Sequence, residues 1–195
     1  MNNSILTNFY HRTLSLYTPQ AESLLDQAPS ELFKRVSFRY AFSVQAMIKI
    51  SRVIEQAALD HPHEAQVHVS FQKLSRVVDQ KEMYSQINKV AQGLWLYGIN
   101  DTPKEQLDFV SNAHLIDTSG TILTNYWFVV AYGPGVGMAL LAEEVPSLIG
   151  TGRYFEGFYT FEADIAYQLL TIMHQIYPDD VPKPLVPERL IETAD

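Results

Sequence analysis

Histidines and carboxylates cluster in one short segment, where metal binding is the chemistry to consider first. Residues 60–64 read Asp-His-Pro-His-Glu, and His68 follows them. Imidazole and carboxylate groups are ligands that zinc and nickel accept. Pro62 holds the two flanking histidines in an extended segment, however, and no His-Glu-x-x-His helix frames them. We therefore expect a solvated loop without a metal ion, and we expect His68 to be exposed or hydrogen-bonded on a strand.

A glycine-rich segment, residues 133–137, has the composition of loops that bind phosphate through backbone N–H groups. It lacks the Gly-Lys-Ser/Thr of a P-loop, and its third glycine comes one residue too early for the dinucleotide fingerprint. The chain contains no Gly-x-Ser-x-Gly elbow. Each of the acidic pairs Glu143/Glu144 and Asp179/Asp180 consists of consecutive residues. On a strand, two consecutive side chains point in opposite directions, and in a loop such carboxylates are usually solvated. We therefore expect a hairpin turn, and no catalytic residue, metal or cofactor.

Aromatic side chains concentrate in two stretches of the second half, together with one arginine. Small-molecule sites are largely apolar with a few placed polar groups, so these residues are candidates to line a pocket for a planar ligand. On the surface, the same residues would resemble the centre of a protein interface. Core packing is the third explanation, and we favour it for most of them, apart from Trp127, Arg153 and Tyr154. The candidate ligand- or partner-binding residues are Trp127, Tyr132, Arg153, Tyr154 and Phe158.

Hydrophobic spacing predicts the elements that would position these residues. Alternation predicts a half-buried strand from Val67 to Phe71, and an apolar run predicts a second strand at 94–99. The helix between them implies a parallel pair with a right-handed crossover. A short strand is expected at Leu115–Ile116. Apolar positions three or four apart indicate helices at residues 5–17, from residue 30 onward, at 43–59, at 83–92, and at the end of the domain up to residue 176, with Thr160 as the N-cap of this last helix.

The longest uncharged run extends from residue 118 to 142, which is enough for a membrane-spanning helix. Asn125 and the glycines and proline of residues 133–137 would break such a helix in its middle. Two buried antiparallel strands joined at Gly133-Pro134-Gly135 explain the run better. We therefore predict a single α/β domain whose central sheet is mixed, parallel and antiparallel, and is flanked by helices.

Composition narrows the class of partner. The chain has 195 residues, with 14 basic and 22 acidic side chains and a formal net charge of -8. This charge repels phosphate backbones and anionic lipid, so we expect neither a nucleic-acid partner nor membrane insertion. The chain has no cysteine, and its N-terminus lacks the pattern of a secretory signal. We therefore expect a cytoplasmic protein.

Two places in the sequence resemble a known family. In the first, a helix that starts at Ser43 ends in Ser-Arg-Val-Ile-Glu at residues 51–55, and the strand after it ends in Ser-Phe-Gln at residues 70–72. In the second, Trp-Phe-Val-Val at residues 127–130 and the hairpin after it are closed by an aromatic string at residues 153–161. The order and spacing of these motifs resemble those of the bacterial DICT sensory domain, over roughly residues 35 to 177.

The resemblance implies a sensory or regulatory module of bacterial signal transduction, often from cyanobacteria, which accompanies diguanylate cyclase, phosphodiesterase, histidine kinase or GAF domains. It places the chain in two-component or cyclic-di-GMP signalling. The family has no established catalytic residues to carry over, which implies a protein that is not an enzyme. Because no such effector is attached in this sequence, we expect a stand-alone subunit that contacts a separate signalling protein, and a homodimer is compatible with this role. The alternative is a small-molecule receptor that uses the aromatic residues.

The chain is expected to divide into three parts. Residues 1–34 form an N-terminal helical extension, and residues 35–177 form the DICT-like sensory domain. Residues 178–195 form a proline-rich tail, in which four prolines prevent regular structure. We expect this tail to act as a linker or as an arm that docks a partner.

Overall fold

Helices and strands alternate over most of the chain, and the computed structural model describes residues 3–17, 19–20, 38–145 and 153–187. The strands are β1 (Pro19–Gln20), β2 (Phe38–Ser43), β3 (Gln66–Lys73), β4 (Gly93–Ile99), β5 (His114–Asp117), β6 (Tyr126–Gly133), β7 (Val136–Val145) and β8 (Tyr154–Thr160). The helices are α1 (Asn3–Leu14), α2 (Val44–Asp60), α3 (Ser75–Val78), α4 (Lys81–Val90), α5 (Ala163–Ile176) and two 3₁₀ helices, Lys104–Val110 and Ile122–Asn125.

The described strands form one sheet in the order β1-β2-β8-β7-β6-β3-β4-β5. Strands β3, β4 and β5 run parallel to one another, and α3 and α4 connect β3 to β4. Strand β6 pairs antiparallel with β3, and β7, β8 and β2 continue the antiparallel half. The predicted α/β fold with a mixed sheet is confirmed, as are the strand-helix-strand unit and the short strand at Leu115–Ile116.

Helices pack on both faces of this sheet, and each face has its own hydrophobic core. On one face, α2 and α4 pack against strand residues such as Val129 and Leu140. On the other face, α1 and α5 pack against Phe128 and Leu141. Because side chains alternate along a strand, consecutive residues of β6 and β7 contribute to different cores.

The central strand β3 is buried on both faces, so the prediction of a half-buried strand is wrong. His68 and Ser70 have no exposed surface. The His68 ring stacks on Trp95 with centroids 4.3 Å apart, and its Nδ1 lies 2.9 Å from the Tyr97 hydroxyl. The Ser70 hydroxyl donates to the Tyr126 carbonyl at 3.0 Å. Polar residues on the second face therefore meet hydrogen-bond partners inside a core, where the alternating pattern had suggested solvent.

Most of the uncharged run forms the predicted pair of buried antiparallel strands, which lie at the centre of the sheet. Strands β6 and β7 pair antiparallel and are joined by the turn Pro134–Gly135. Gly135 has a φ of 75°, which favours glycine, and proline before such a residue is typical of a type II turn. Within the described ranges, no helix has both the length and the apolar character needed to cross a membrane.

Other boundaries differ from the prediction. Glu162 is the N-cap of α5, whereas Thr160 pairs with Ala139 as the last residue of β8 and accepts a hydrogen bond from the Glu162 N–H at 3.2 Å. Strand β2 was not predicted, because its antiparallel partner β8 lies far along the sequence. Helix α1 ends at Leu14. The helical region expected from Ser30 onward is wrong where the structure describes it, because residues 38–43 form β2, and residues 30–37 lie outside the described residues.

Residues 178–187, the described part of the proline-rich tail, contain neither helix nor strand and lie against the domain. The Trp95 indole N–H donates to the Asp180 carbonyl at 3.0 Å. Val181 is 1% exposed and belongs to the core on the α5 side of the sheet. This part of the tail therefore covers the end of a core strand.

Candidate functional site

A β-bulge in β3 determines the geometry of the candidate site. The pairing of β3 with β4 shifts between Ser70 and Gln72, so Phe71 is the extra residue. Gln72 has a φ of 65°, a left-handed conformation that costs a non-glycine residue roughly 1–2 kcal/mol. Bulges are common next to functional sites, where they redirect side chains. Here the Phe71 ring packs edge-on against Tyr84 of α4, with centroids 5.1 Å apart, and the Gln72 side chain reaches Arg76 of α3.

The Gln72 amide is shared among three charged side chains. Its Oε1 accepts a hydrogen bond from Arg76 at 2.6 Å and another from Arg153. Its Nε2 donates to Glu144 at 2.9 Å. Because Gln72 is only 4% exposed, water competes little for these hydrogen bonds. The contacts hold the unfavourable backbone conformation in place and hold two guanidinium groups near each other.

Arg153 forms a two-pronged ion pair with Glu144. Its Nε and one terminal nitrogen each donate to a carboxylate oxygen at 2.7 Å, and its guanidinium carbon lies 5.2 Å from the centre of the Phe155 ring. The hydrogen bonds between the two groups lower the pKa of Glu144 and raise the pKa of Arg153. Both side chains are about one-third exposed, so the pair contributes orientation more than stability.

Glu55 is a buried carboxyl group beside this pair. It is 2% exposed and accepts hydrogen bonds from the Tyr84 hydroxyl and, at 2.5 Å, from Arg52. Burial raises the pKa of Glu55, and the hydrogen bonds from Tyr84 and Arg52 partly oppose this effect. Burial also raises the pKa of Tyr84 well above its ordinary value, and the Glu55 carboxylate adds to the shift. Each oxygen of Glu55 already accepts a hydrogen bond inside the protein, which suits a structural role better than proton transfer.

A cleft of about 240 Å³ opens where these groups meet, between α2, the α3–α4 connection and the sheet. We name it the arginine cleft because three arginines line it. Its described lining residues are Val44, Ile48, Ser51, Arg52, Glu55, Phe71, Arg76, Asp79, Gln80, Tyr84, Trp127 and Arg153. The cleft thus combines an apolar wall with charged groups, which is the composition expected of a small-molecule site.

Three polar groups in the lining are incompletely satisfied. Among the described residues, Ser51 Oγ and Trp127 Nε1 are buried and have no hydrogen-bond partner. An unpaired buried polar group costs about 1–3 kcal/mol. Arg76 donates to the Phe71 carbonyl at 3.0 Å and to Gln72, but no carboxylate of the described chain forms an ion pair with it. Arg76 therefore retains hydrogen-bonding capacity, and the two residues that carry the unpaired buried atoms, Ser51 and Trp127, also line the cleft.

The five sequence-predicted binding residues do not form one cluster. Trp127 and Arg153 line the arginine cleft. Tyr154 is partly exposed at the start of β8. Phe158 is fully buried and Tyr132 is 6% exposed, and both belong to the core on the α5 side of the sheet. The separation arises because neighbouring residues of a strand project to opposite faces.

A wider depression of about 630 Å³ lies at the hairpin turn, where Tyr132 contributes to its lining. The Tyr132 hydroxyl donates to the Leu185 carbonyl at 2.5 Å. Leu185 and Val186 form part of the wall and are exposed. Because the irregular C-terminal segment supplies this wall, we regard the arginine cleft, which is built on helices and strands, as the stronger candidate site.

The histidines of the sequence-predicted metal candidate lie apart. His61 Nδ1 is 2.8 Å from the Ala57 carbonyl at the end of α2, whereas His68 is buried in the core on the α5 side of the sheet. In the part of the chain that the structure describes, no group of three or more His, Cys, Asp or Glu side chains is placed to hold a metal ion. The arginine cleft is therefore the candidate functional site.

Sequence reasoning missed several side chains of this site. Ser51, Glu55 and Gln72 belong to the first of the two places that carry the family resemblance, and its helix and strand motifs were the signal that could have identified them. Arg76 had no such signal. Glu144 was interpreted as half of an acidic pair without a role, because only the pairing of β7 with β8 places it opposite Phe155 and close to Arg153.

A comparison with known protein families matches the region that contains most of the arginine cleft. The family model of DICT, the sensory domain in diguanylate cyclases and two-component systems, matches residues 22–145. Searches of curated proteins and of solved structures found no match. The matched region contains the α2, β3, α3, α4 and β6 residues of the arginine cleft, and Arg153 lies beyond it. Because the match covers more than half of the 195 residues, the chain belongs to the DICT family of sensory domains.

Proposed function

We propose that the chain is a non-enzymatic sensory module of signal transduction that binds a small molecule in the arginine cleft and passes the signal on by contact with a separate protein. One observation carries this proposal. Residues from both places of family resemblance, on α2 and β3 and on β6 and before β8, line one cleft, and two of them carry buried polar atoms that lack a partner among the described residues. Buried polar atoms are normally satisfied, so their occurrence on two residues that line a cleft supports a ligand that reaches them when it binds.

Family membership supports the signalling part of the proposal. DICT is a sensory domain of diguanylate cyclases and two-component systems. We propose a signalling protein of the histidine kinase, GAF or diguanylate cyclase type as the partner, in two-component or cyclic-di-GMP signalling. A cytoplasmic location and a homodimer belong to the same proposal.

Direct docking of a protein partner, without a small ligand, is the second candidate function. Trp127, Arg153 and Tyr154 are partly exposed, and an aromatic surface with one arginine is typical of interface centres. This candidate predicts that Tyr154→Ala weakens partner capture even though Tyr154 does not line the cleft. The ligand-binding candidate predicts that substitutions inside the cleft have the larger effect.

Native mass spectrometry of the purified full chain tests the proposed function, because it reports a retained molecule and the number of subunits together. We expect a retained small molecule in the wild type. Ile48→Trp, which places a large ring in the cleft, should abolish retention. Gln45→Trp, at an exposed position on the same helix, should preserve it. If the folded wild type retains nothing and takes up nothing from a metabolite extract, the ligand-binding function is wrong.

A further inference from the structure

The three arginines of the arginine cleft differ in how their charges are compensated. Arg52 pairs with Glu55 at 2.5 Å, and Arg153 forms its two-pronged pair with Glu144. Arg76 donates only to neutral acceptors among the described residues, a backbone carbonyl and the Gln72 amide. One cation of the cleft is therefore not matched by a bound carboxylate.

The surroundings of Arg76 favour an anion beside it. Burial and the nearby Arg153 cation lower the pKa of Arg76, although the Glu144 and Asp101 carboxylates act in the opposite direction. A guanidinium group presents five N–H donors in a planar fork that fits a carboxylate. Both hydrogen bonds that Arg76 makes to described residues come from one terminal nitrogen. The rest of the fork is left for a ligand.

Two neutral groups add to this donor set. The Trp127 indole N–H can only donate, and the Ser51 hydroxyl can donate or accept. Both are buried without a partner in the described chain, and Ser51 is 5% exposed. A molecule that satisfies them, together with Arg76, must be rich in acceptor oxygens on its polar side.

The apolar lining residues and the size of the cleft restrict the rest of the molecule. Val44, Ile48, Phe71 and Trp127 are apolar or aromatic residues of the lining. A volume of about 240 Å³ lies below the usual range for drug-sized ligands, so the ligand is small. Because Arg76 is the one arginine of the described lining without a carboxylate partner, a single negative charge balances it, and Asp79, which also lines the cleft, disfavours a second one.

We infer that the arginine cleft binds a small organic monocarboxylate with a flat, apolar body. Arg76 binds the carboxylate, and Ser51 and Trp127 donate to its oxygens. The inference rests on the proposed function, because it names the chemical class of the molecule that the sensory domain detects.

Titration of the full chain with benzoate, benzamide and phenyl phosphate tests this inference, with the two indole N–H signals in proton–nitrogen NMR spectra as reporters. Trp127 lies in the cleft, whereas the Trp95 indole N–H is bonded to the Asp180 carbonyl and serves as the internal control. We expect benzoate to shift the Trp127 signal saturably. Benzamide, its neutral isostere, and the dianionic phenyl phosphate should bind at least about tenfold more weakly.

Variants assign the effect to Arg76. Arg76→Gln should weaken benzoate binding at least about tenfold and leave benzamide binding unchanged. Arg76→Lys keeps the positive charge, so its affinity for benzoate should lie between those of Arg76→Gln and the wild type. Arg12→Gln, at an exposed arginine of α1, is the matched control and should change nothing. An unchanged Trp95 signal shows that each variant is folded.

The outcomes separate the inference from the proposed function. Benzamide binding as tight as benzoate binding, or benzoate affinity unaffected in Arg76→Gln, overturns the carboxylate inference and leaves a small-molecule site. Retention of a molecule that has no carboxylate also overturns the carboxylate inference and leaves a small-molecule site. If no probe shifts Trp127 and no molecule is retained, both are wrong.

Discussion

At the scale of single residues, Gln72 combines an unfavourable backbone conformation with a side-chain amide whose oxygen and nitrogen both form hydrogen bonds. An alanine at this position keeps the left-handed φ of 65° and loses the hydrogen bonds to Arg76, Arg153 and Glu144. A glycine loses the same hydrogen bonds but removes the steric cost.

We therefore predict that Gln72→Ala lowers the free energy of unfolding by about 1–3 kcal/mol, and that Gln72→Gly is more stable than Gln72→Ala by on the order of 1 kcal/mol. Urea denaturation of the three proteins measures both differences. Equal stability of the two variants would show that the backbone conformation carries no cost. Gln56→Ala, at an exposed glutamine of α2, is the control for loss of the amide itself.

His68 is the second residue with a measurable consequence. Burial lowers the pKa of His68 to about 3, and the charge of His114 adds to the effect. Between the ordinary histidine pKa of about 6.5 and this value, the unfolded chain binds a proton that the folded chain excludes. The stability that neutral, buried His68 contributes above pH 6.5 is therefore lost as the pH falls.

We predict that the stability difference between the wild type and His68→Gln, largest near pH 7, shrinks by about 2 kcal/mol on going to pH 5. Denaturant unfolding at a series of pH values gives this difference, and the comparison cancels the acid sensitivity of other groups. His11→Gln, at an exposed histidine, controls for the loss of an imidazole. A difference independent of pH would contradict the prediction.

At the scale of elements, α2 supplies much of the arginine cleft and begins directly where β2 ends. Ser43 belongs to the strand and is also the N-cap of the helix, and its hydroxyl accepts a hydrogen bond from the Ala46 N–H at 3.3 Å. The same residue therefore sets the position at which the chain changes from sheet to helix.

We predict that Ser43→Ala destabilises the domain by about 1 kcal/mol, because an N–H at the start of α2 loses its acceptor. Ser43→Asp keeps an acceptor and places a negative charge at the positive end of the helix dipole, so it should be close to the wild type. Thermal unfolding followed by circular dichroism compares them. A Ser43→Ala protein as stable as the wild type would show that this cap contributes nothing.

At the scale of the whole molecule, contacts made by the C-terminal residues bear on where the domain ends. The sequence predicts a domain ending at residue 177 and a separate tail, a division that stays a prediction. Within the described residues 178–187, Val181 lies in the core on the α5 side of the sheet, and the Asp180 carbonyl accepts a hydrogen bond from the Trp95 indole N–H. These contacts favour a domain that extends into the tail.

We predict that a chain shortened after residue 177 is less stable than one shortened after residue 187 by at least about 2 kcal/mol, because it loses buried Val181 and the acceptor of the Trp95 indole. Denaturant unfolding of the two shortened chains and the full chain measures the difference. Equal stability of all three would place the domain boundary at residue 177.

The elements differed in how far the sequence predicted them. Helix α2, the strand-helix-strand unit and the central hairpin have strong local periodicity, and all were predicted. Strand β2 was missed because its pairing with β8 depends on a distant segment. The sequence does not distinguish an exposed His68 from a hydrogen-bonded one, because a polar residue in an alternating strand carries no local sign of a second core behind it.

The sequence by itself determined the fold class and the family, because hydrophobic periodicity and short ordered motifs are local properties of the chain. Only the tertiary structure decided which side chains share a site. Gln72, Arg76, Glu144 and Arg153 lie on or beside four different elements, and they meet through a bulge, the strand order and the pairing of β7 with β8. Local patterns report which face of an element is buried, whereas the neighbours across that face depend on register and topology.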